Sequence, residues 1–332
     1  MREARFTDAG VELVEAEPRP LRPGWVRLRV EACGICGSDL HMLHRQHPVP
    51  DWLVPGHEIV GVPLEGPAHL EDALYAVEPR VWCGHCEFCL RGSRHLCSSG
   101  TLLGVGRNGG LAETVDTPHA SLHRVPDQVG ALAASLSEPL AVCVRATNLA
   151  RLTPDSRVLV LGAGSIGLLT ALLARDRVDR IAITARYPHQ QEIAKQWGFV
   201  PLAETEADAW AQDNGPDVVI ETVGGLAGTL DDSVRLCRPG GRIVMLGVFA
   251  GERPVNALAL MLKELTLIGS NTYASSERGS EFGTAVDWLG RYPAELASAQ
   301  THQFALSDVA RAFECAADKR SGAIKVTVLA DS

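Results

Sequence analysis

The sequence predicts an α/β protein of two domains, one β-rich and one built on a doubly wound parallel sheet. From about residue 155, apolar strands alternate with amphipathic helices, beginning with "RVLVLGAG" and "SIGLLTALLAR" and continuing to "GRIVMLGVF". This alternation is typical of βαβ units. Before it, short apolar runs such as "WVRLRVEA" (25–32) and "EIVGVPL" (58–64) are separated by glycine and proline, which indicates strands joined by turns.

The C-terminal part of the chain breaks the alternation. After "LTLIGSNTY" (265–273), two helical stretches lead to a last strand in "AIKVTVL" (323–329), and we expect this segment to rejoin the first domain. A chain of 332 residues is too long for one ordinary hydrophobic core. The sequence therefore predicts a β-rich domain over 1–146 and 275–332 and a βαβ domain over 147–274.

Composition and charge exclude several classes of protein. Hydrophobic residues make up 46% and charged residues 21% of the chain, and no apolar run approaches the roughly 18 residues of a membrane span. The acidic N-terminal segment lacks the apolar stretch of a signal peptide. A net charge of −9 without a lysine or arginine block argues against a nucleic-acid partner. We expect a cytoplasmic protein whose nine cysteines are reduced.

Four cysteines are closely spaced in "CGHCEFCLRGSRHLC" (83–97), as C-x2-C-x2-C-x7-C. Two-residue gaps let neighbouring thiolates turn onto one ion. Four sulfurs with no open position favour a closed, structural zinc site over an iron–sulfur cluster or four unliganded thiols. The predicted ligands are Cys83, Cys86, Cys89 and Cys97. His85 and His95, within the loop, are expected to face solvent.

A second group of metal-competent side chains lies nearer the N-terminus, in "CGICGSDLH" (33–41) and "PGHEIVG" (55–61). Cys36, His57 and Glu58 form a mixed set that leaves a position for water or substrate, as catalytic zinc does. Such zinc polarises an alcohol or carbonyl oxygen. Taken singly, these residues also fit a redox cysteine pair or an ordinary core histidine.

The segment "VLVLGAGSIG" (158–167) predicts a dinucleotide-binding turn, because its G-x-G-x-x-G pattern follows a strand and opens a helix. Gly162 makes the tight turn, Gly164 admits a pyrophosphate close to backbone amides, and Gly167 lets helix and strand pack. The helix N-terminus adds its positive end. The residues assigned to the cofactor here are Gly162, Gly164, Ser165, Ile166 and Gly167.

The following strand, in "RIAITARYPHQ" (180–190), lacks the acidic residue that holds the ribose diol of NAD. Ala185 occupies that position. Arg186 offers a planar cationic fork to a 2′-phosphate, and Tyr187 is placed to stack on adenine. The sequence therefore predicts a preference for NADP(H). The alternative is that Arg186 faces solvent and that NAD is used as well.

Taken in order, "CGICGSDLH", "GHEIVG", the four-cysteine loop and "GAGSIG" resemble the zinc-dependent medium-chain dehydrogenase/reductases, which include alcohol, sorbitol, threonine and glucose dehydrogenases. "GGLAETV" (109–115), "LSEPLAV" (136–142) and "KELTLIGS" (263–270) extend the resemblance over nearly the whole chain. It implies a β-rich GroES-like catalytic domain, a Rossmann domain, two zinc ions per chain, and a homodimer or homotetramer.

The resemblance implies roles for individual residues around the second metal site. Cys36 and His57 are implied to bind catalytic zinc, and Glu58 to bind it or to exchange with water. Glu138 lies where the alcohol dehydrogenases proper place a second cysteine, as in the polyol and sugar branch of the family. It is implied to coordinate the metal or to hold a water beside it. Cys33 is expected to be a small buried residue, not a ligand.

Further roles follow from the same resemblance. Ser38 and His41 match the groups that carry the alcohol proton to solvent, with turn-capping and surface roles as their alternatives. Asp39 is expected to support the loop. Lys325 matches a position where a cation meets the pyrophosphate. The residues expected at the nicotinamide end of the cofactor are Thr222, Gly224, Gly247, Val248 and Ser270.

We therefore expect a zinc-dependent dehydrogenase that transfers a hydride between a secondary, polyol- or sugar-like alcohol and NADP(H), with a small-molecule alcohol or ketone as its partner. One alternative is a primary-alcohol dehydrogenase or aldehyde reductase with the same zinc machinery. Another is a non-catalytic, cofactor-binding zinc protein. A zinc-free quinone reductase would lack these cysteines. The segment 44–56 is short for the family, which we expect to reshape the substrate mouth near Trp52.

Overall fold

The computed structural model describes residues 1–8, 10–44, 49–50, 52–276 and 279–331. The chain forms two compact units, one of Met1–Ala141 with Ala274–Ser332 and one of Val142–Tyr273. The predicted domain limits lie within a few residues of these.

The elements have the following bounds. The strands are β1 (Arg2–Thr7), β2 (Gly10–Glu15), β3 (Trp25–Ile35), β4 (Glu58–Glu65), β5 (Tyr75–Val77), β6 (Arg80–Val81), β7 (Thr101–Leu102), β8 (Thr114–Pro118), β9 (Leu122–Arg124), β10 (Arg157–Leu161), β11 (Arg180–Thr184), β12 (Val200–Leu202), β13 (Val218–Glu221), β14 (Arg242–Met245), β15 (Thr266–Gly269), β16 (Ser275–Ser276), β17 (Gly279–Ser280), β18 (His302–Ala305) and β19 (Val326–Leu329). The α-helices are α1 (Gly37–Leu43), α2 (Glu87–Leu90), α3 (Ala131–Ala134), α4 (Ser137–Ala150), α5 (Ser165–Arg175), α6 (Pro188–Gln196), α7 (Ala207–Asn214), α8 (Thr229–Leu236), α9 (Ala257–Leu262), α10 (Glu281–Trp288), α11 (Pro293–Ala299) and α12 (Val309–Ala317). Among the described residues, none of these helices combines the length and the apolarity that crossing a membrane requires.

The first unit is organised around strand β3. Its sheet has the order β18-β19-β3-β4-β5-β9, and β8 also pairs with β3. Inward side chains of β3 such as Leu28 and Val30 pack with Ile59 and Phe313 in one hydrophobic core. The register sets Gly34 of β3 opposite Glu58 of β4, and Ile35 of β3 opposite Val326 of β19. The end of β3 therefore brings the residues after it close to the start of β4 and to the residue before β19.

The second unit is built on six parallel strands in the order β12-β11-β10-β13-β14-β15. This is the doubly wound order of a Rossmann domain, in which ligands bind at the carboxyl ends of the strands. Strands β10, β11 and β13 are almost continuously buried, as strands covered by helices on both faces must be. Their apolar residues, including Leu159, Val219 and Ile243, form the core. The predicted α/β fold class is confirmed.

The C-terminal segment differs from the prediction. Its described residues hold three helices, α10, α11 and α12, and three short strands, β16, β17 and β18, that the sequence did not indicate. Strand β18 has the sequence "HQFA" and no clear alternation of apolar and polar residues. It is defined by its parallel pairing with β19, which is a long-range contact and leaves no local pattern.

Candidate functional site

The four-cysteine loop folds into a metal-competent cluster. The sulfur of Cys83 lies 3.9 Å from that of Cys89 and 3.5 Å from that of Cys97, and the sulfurs of Cys86 and Cys97 are 3.8 Å apart. Four sulfurs placed tetrahedrally at ~2.3 Å from a zinc ion would be about 3.8 Å apart. Backbone N–H groups, above all that of Cys89, lower the pKa of the Cys86 thiol to about 6, which favours the thiolate form that zinc binds.

The two histidines of this loop behave differently. His85 is exposed, as expected, but His95 is buried, with 5% of its surface accessible, so the prediction for His95 was wrong. His95 lies in the 3-10 turn Arg94–Leu96 that leads into Cys97. In this turn Arg94 and Leu96 point outward while His95 and Cys97 point inward. The turn that brings the fourth sulfur to the cluster therefore also buries the imidazole.

A second cluster forms where β3 ends and β4 begins. Cys36 precedes helix α1, while His57 and Glu58 stand at the start of β4. One ligand atom from each of these three side chains lies within 4.8 Å of the others. His57 and Glu58 are buried and Cys36 is half-buried. The set combines a thiol, an imidazole and a carboxylate, which suits a zinc ion with an open position.

Asp39 orients this cluster from the first turn of α1. Its carboxylate accepts hydrogen bonds from the backbone N–H groups of Cys36, at 2.8 Å, and Gly56, at 3.3 Å. It also lies 3.6 Å from Nδ1 of His57. Burial alone would lower the pKa of His57, but Asp39 and Cys36 together outweigh burial and raise it. A carboxylate beside one ring nitrogen fixes the imidazole with the other nitrogen directed at the metal position.

Lys325 lies in the same cluster, which corrects its expected role. Its Nζ donates to both carboxylate oxygens of Glu58, at 2.6 and 2.7 Å, and to the carbonyl of Ile35 at 3.2 Å. The side chain is 2% exposed. Burial alone would lower the pKa of Lys325, but Glu58, with contributions from Cys36 and Glu138, raises it above its ordinary value. The ammonium group therefore binds Glu58 and is not available to bind a pyrophosphate.

Glu138 contributes a further buried carboxylate in the first turn of α4. It lies outside the set of ligand atoms within 4.8 Å that the described residues form around Cys36. Burial raises its pKa to about 7, with the charges of His57 and Lys325 acting against this shift and that of Glu58 adding to it. Glu138 therefore shares the electrostatic environment of the cluster and can gain or lose a proton near neutral pH.

The two predicted proton carriers lie on helix α1. The Oγ of Ser38 is 3.4 Å from Nε2 of His57. His41 follows three residues later and is half-buried. Residues spaced by three share one face of a helix, so Ser38 and His41 lie on the same side of α1.

The glycine turn between β10 and α5 has the shape of a phosphate cradle. Gly162 has φ of +98°, a conformation that favours glycine. A side chain on Gly167 would overlap the carbonyl oxygen of Gly162, whereas a Cβ on Gly164 would meet no atom within 4 Å. Ser165 and Ile166 form the half-buried first turn of the helix. The turn is closed behind and open at Gly164, which fits a pyrophosphate at the helix N-terminus.

Arg186 follows the next strand and has a partner that the sequence analysis missed. Its guanidinium binds the Glu204 carboxylate through two hydrogen bonds, Nε to Oε1 at 2.9 Å and Nη2 to Oε2 at 3.2 Å. Glu204 follows β12, and the register sets Thr184 of β11 opposite Leu202 of β12. Tyr187 stacks on His189, with ring centroids 5.7 Å apart. An acidic residue is therefore present at this sheet edge, but it comes from the neighbouring strand.

The loops after β13 and β14 are joined by Glu221, a second residue that sequence reasoning missed. Its fully buried carboxylate accepts from the backbone N–H groups of Val223 at 2.8 Å, Gly224 at 2.9 Å and Gly247 at 3.2 Å. The nearby Thr222 hydroxyl donates to the carbonyl of Leu161 at 2.7 Å. An acidic residue at the end of an apolar strand is the signal that could have revealed Glu221.

The other predicted residues of this region take several positions. The side chain of Val248 is 54% exposed. The Oγ of Ser270 is buried and has no hydrogen-bond partner among the described residues. Of the segment 44–56, residues 45–48 and 51 lie outside the described residues, and Trp52 is exposed.

Comparison with known proteins identifies the family of this chain. The family "Alcohol dehydrogenase GroES-like domain" matches residues 22–127, and "Zinc-binding dehydrogenase" matches residues 165–291. The L-threonine 3-dehydrogenase of Streptomyces avermitilis is 32% identical over 96% of each chain. The chain belongs to the zinc-binding alcohol dehydrogenases. The predicted family resemblance is confirmed, and so is an oxidoreductase that acts on CH–OH groups.

Other members show the range of this dehydrogenase family. The 2-dehydro-3-deoxy-L-galactonate 5-dehydrogenase of Pseudoalteromonas atlantica is 27% identical, over 91% of this chain and 90% of its own. An Escherichia coli rspB structure complexed with NADH has a TM-score of 0.89 at 26% identity and covers 99% of both chains. A zinc-binding dehydrogenase of Sinorhizobium meliloti bound to NADP has a TM-score of 0.87 at 28% identity, over 99% and 98%. Members of this family therefore bind zinc and a nicotinamide cofactor, and the donor sets described above fit both.

Proposed function

We propose that this dehydrogenase interconverts a secondary, polyol- or sugar-like alcohol and its ketone, with NADP(H) as the preferred cofactor. The observation that carries the proposal is the mixed set of Cys36, His57 and Glu58, whose ligand atoms lie within 4.8 Å of one another. A glutamate at position 138, where alcohol dehydrogenases proper have cysteine, supports the polyol and sugar branch.

Two zinc ions per chain are part of the proposal. Cys36, His57 and one of the carboxylates of Glu58 and Glu138 would hold the catalytic zinc, which when bound polarises the alcohol oxygen as a Lewis acid. Lys325 donates to both carboxylate oxygens of Glu58 and fixes this side chain in position beside it. The second zinc would be structural. Its ligands are Cys83, Cys86, Cys89 and Cys97.

The proton of the alcohol leaves along helix α1. The Ser38 hydroxyl, close to Nε2 of His57, accepts the substrate's hydroxyl proton as it passes its own onward. His41, on the same side of the helix, receives the proton and releases it to water. An imidazole suits this task because it can both accept and donate a proton.

The cofactor would lie on the carboxyl ends of the parallel strands. The backbone of Gly162, Gly164 and Gly167 and the start of α5 would bind its pyrophosphate. Arg186 would bind the 2′-phosphate, and Tyr187 would stack on the adenine. The loops joined by Glu221 would face the nicotinamide. These residues are Thr222, Gly224, Gly247, Val248 and Ser270.

We also propose a homodimer or homotetramer, located in the cytoplasm. Strand β15 ends the parallel sheet, and next to it in the chain helix α9 presents Leu258, Met261 and Leu262, which are 63%, 62% and 68% exposed. An open strand edge beside apolar side chains favours pairing with a second copy. Light scattering should give a multiple of 35.5 kDa, and a mass of one chain would overturn this part of the proposal.

The testing experiment compares NADP+ and NAD+ reduction by the zinc-loaded protein across secondary alcohols, polyols, sugars and primary alcohols. We expect the highest kcat/KM with a polyol- or sugar-like secondary alcohol and at least about tenfold preference for NADP+. Higher kcat/KM with primary alcohols would establish the aldehyde-reductase alternative. Binding of cofactor and two zinc ions without turnover of any alcohol would establish the non-catalytic alternative.

Two cysteine variants provide a matched control. Cys36→Ser should abolish turnover and leave about one zinc per chain, because the four-cysteine cluster stays intact. Cys33→Ser changes a neighbouring cysteine that is 1% exposed and lies outside the ligand set. It should keep two zinc ions. Equal metal content in the two variants would contradict the assignment of Cys36.

A further inference from the structure

A cavity of about 880 Å³ opens in the first unit, and none of the metal ligands assigned above lines it. Its wall includes the indoles of Trp25 and Trp52, the guanidinium groups of Arg22 and Arg107, and the polar side chains of Thr101 and Asn108. This volume is within the range of small-molecule sites, which combine aromatic faces with a few convergent polar groups.

The charges around the cavity are not balanced. Among the residues that the structure describes, two acidic ones line it, Glu3 and Asp116. The Glu3 carboxylate already binds Nε of Arg5 at 2.9 Å, and that of Asp116 binds the guanidinium of Arg27 at 2.8 Å. The remaining arginines on the wall, Arg19, Arg22 and Arg107, have no acidic partner within the described part of the chain. The cavity therefore carries excess positive charge in a protein whose net charge is −9.

Arg22 and Arg107 are held by the same aromatic ring. Their guanidinium carbons lie 5.5 and 5.6 Å from the centre of the Trp25 ring, so each cation is attracted to the indole. The Nε of Arg107 is buried and has no hydrogen-bond partner among the described residues. A buried donor without a partner is costly, and no group in the described part of the chain offsets this cost for Arg107.

We propose that this cavity binds a small polyhydroxylated carboxylic acid. Arg22 and Arg107 take the carboxylate, for which the planar guanidinium provides paired donors. Thr101 and Asn108 offer hydrogen bonds to hydroxyl groups. The exposed indole of Trp52 provides an apolar face for the carbon chain.

The cavity wall is joined to the catalytic cluster through the backbone. Val54, on the wall, accepts a hydrogen bond from the N–H of Gly109 at 2.7 Å, and Gly110 donates to the carbonyl of Gly56 at 2.9 Å. Gly56 immediately precedes the metal-competent His57. The bound acid is either the substrate, in which case the inference rests on the proposed function, or a separate effector. The recognition chemistry is the same for both.

Equilibrium binding tests the inference without requiring turnover. Calorimetry on the zinc-loaded protein compares gluconate with sorbitol, and galactonate with galactitol, because each pair differs only in a carboxylate replacing a terminal CH2OH. We expect at least one acid to bind about tenfold more tightly than its polyol, since a charged hydrogen bond is stronger than a neutral one. Arg107→Gln and the more exposed Arg22→Gln should each remove most of this advantage.

Arg94→Gln is the matched control, because Arg94 also lies over a tryptophan, Trp82, at 4.7 Å but does not line the cavity. It should leave the acid's affinity unchanged. Equal affinities for acid and polyol overturn the inference, as does an acid preference that survives both Arg22→Gln and Arg107→Gln.

Kinetic measurements then distinguish a substrate from an effector. A KM that rises in Arg107→Gln for the acid but not for a neutral polyol identifies the substrate. Binding without turnover identifies an effector. If the protein turns over no alcohol but binds the acid in a way that depends on these arginines, the proposed function is refuted and the inference about the cavity still holds.

Discussion

Removing the charge of Glu204 should tighten binding of a 2′-phosphorylated nucleotide. The carboxylate of Glu204 holds the Arg186 guanidinium through hydrogen bonds of 2.9 and 3.2 Å. A 2′-phosphate that binds Arg186 must displace Glu204 from some of the guanidinium N–H groups. Otherwise it must share the guanidinium with this carboxylate, which is also negatively charged. Glu204→Gln keeps the size of the side chain and removes the competing negative charge.

The magnitude follows from the exposure of the pair. The two side chains are 63% and 57% exposed, so the ion pair itself contributes only about 0.5 kcal/mol. Repulsion between the carboxylate and a doubly charged phosphate roughly 6 Å away adds about 0.7 kcal/mol in water at physiological salt. Together these terms correspond to roughly 5- to 10-fold tighter binding.

Calorimetric titration with adenosine 2′,5′-bisphosphate and with ADP measures this effect without turnover. We expect Glu204→Gln to strengthen binding of the bisphosphate by this factor and to leave ADP within about twofold of wild type. Asp179→Asn is the matched control, because it removes the same charge from an exposed residue that precedes β11, at the opposite end of the strand. It should change neither affinity.

Two results would refute the reasoning. An unchanged affinity for the bisphosphate in Glu204→Gln would mean that the carboxylate does not compete for Arg186. A selective loss of ADP affinity would mean that Glu204 itself holds the ribose diol. In that case the acidic residue absent at position 185 is supplied by the neighbouring strand, and the predicted NADP preference falls with it.

Three further predictions concern the glycine turn, a half-buried ion pair and the cysteine cluster. Gly167→Ala should weaken ADP binding about tenfold or more, because its Cβ would overlap the carbonyl oxygen of Gly162 in the turn. Calorimetry measures this affinity. Gly228→Ala, whose Cβ would meet no atom within 4 Å, is the control. For Asp217, burial alone would raise the pKa, but hydrogen bonds, chiefly from Arg157, lower it to about 2. Asp217→Asn should therefore lower the free energy of unfolding by on the order of 2 kcal/mol above pH ~4. In urea titrations the difference between wild type and variant should disappear as the pH falls towards ~2. A difference that does not change with pH would contradict this. Cys89→Ser should leave about one zinc per chain and lower Tm, and two zinc ions by elemental analysis would show that Cys89 is not a ligand.

Local spacing explains what could be predicted from the sequence. The cysteines of the loop lie within fifteen consecutive positions, so their spacing alone determines that the sulfurs can meet. The glycine turn is equally local, since Gly162 and Gly167 contact each other across one strand-to-helix junction. These motifs need no knowledge of how distant strands pair, and the family resemblance rested on them.

The partners that were missed depend on strand pairing. Lys325 reaches Glu58 across 267 positions, because β19 and β4 pair with opposite edges of β3. The Arg186–Glu204 pair depends on β12 lying beside β11, a strand of three residues that the sequence pattern did not indicate. A lysine or glutamate in the sequence shows its charge but not its partner, so these roles could be assigned only from the structure.

The buried charges around Cys36 and His57 favour a cation site over the simpler alternatives. Asp39, Glu58 and Glu138 are 0%, 1% and 5% exposed, and uncompensated buried carboxylates are costly. Lys325 compensates Glu58, and burial raises the pKa of Glu138 to about 7, so that this carboxyl carries only part of a negative charge at neutral pH. A divalent ion would supply the missing positive charge and displace protons from its ligands. A redox cysteine pair or an ordinary core histidine would not require three buried carboxylates in the same place, so their presence argues for a metal position in this unit.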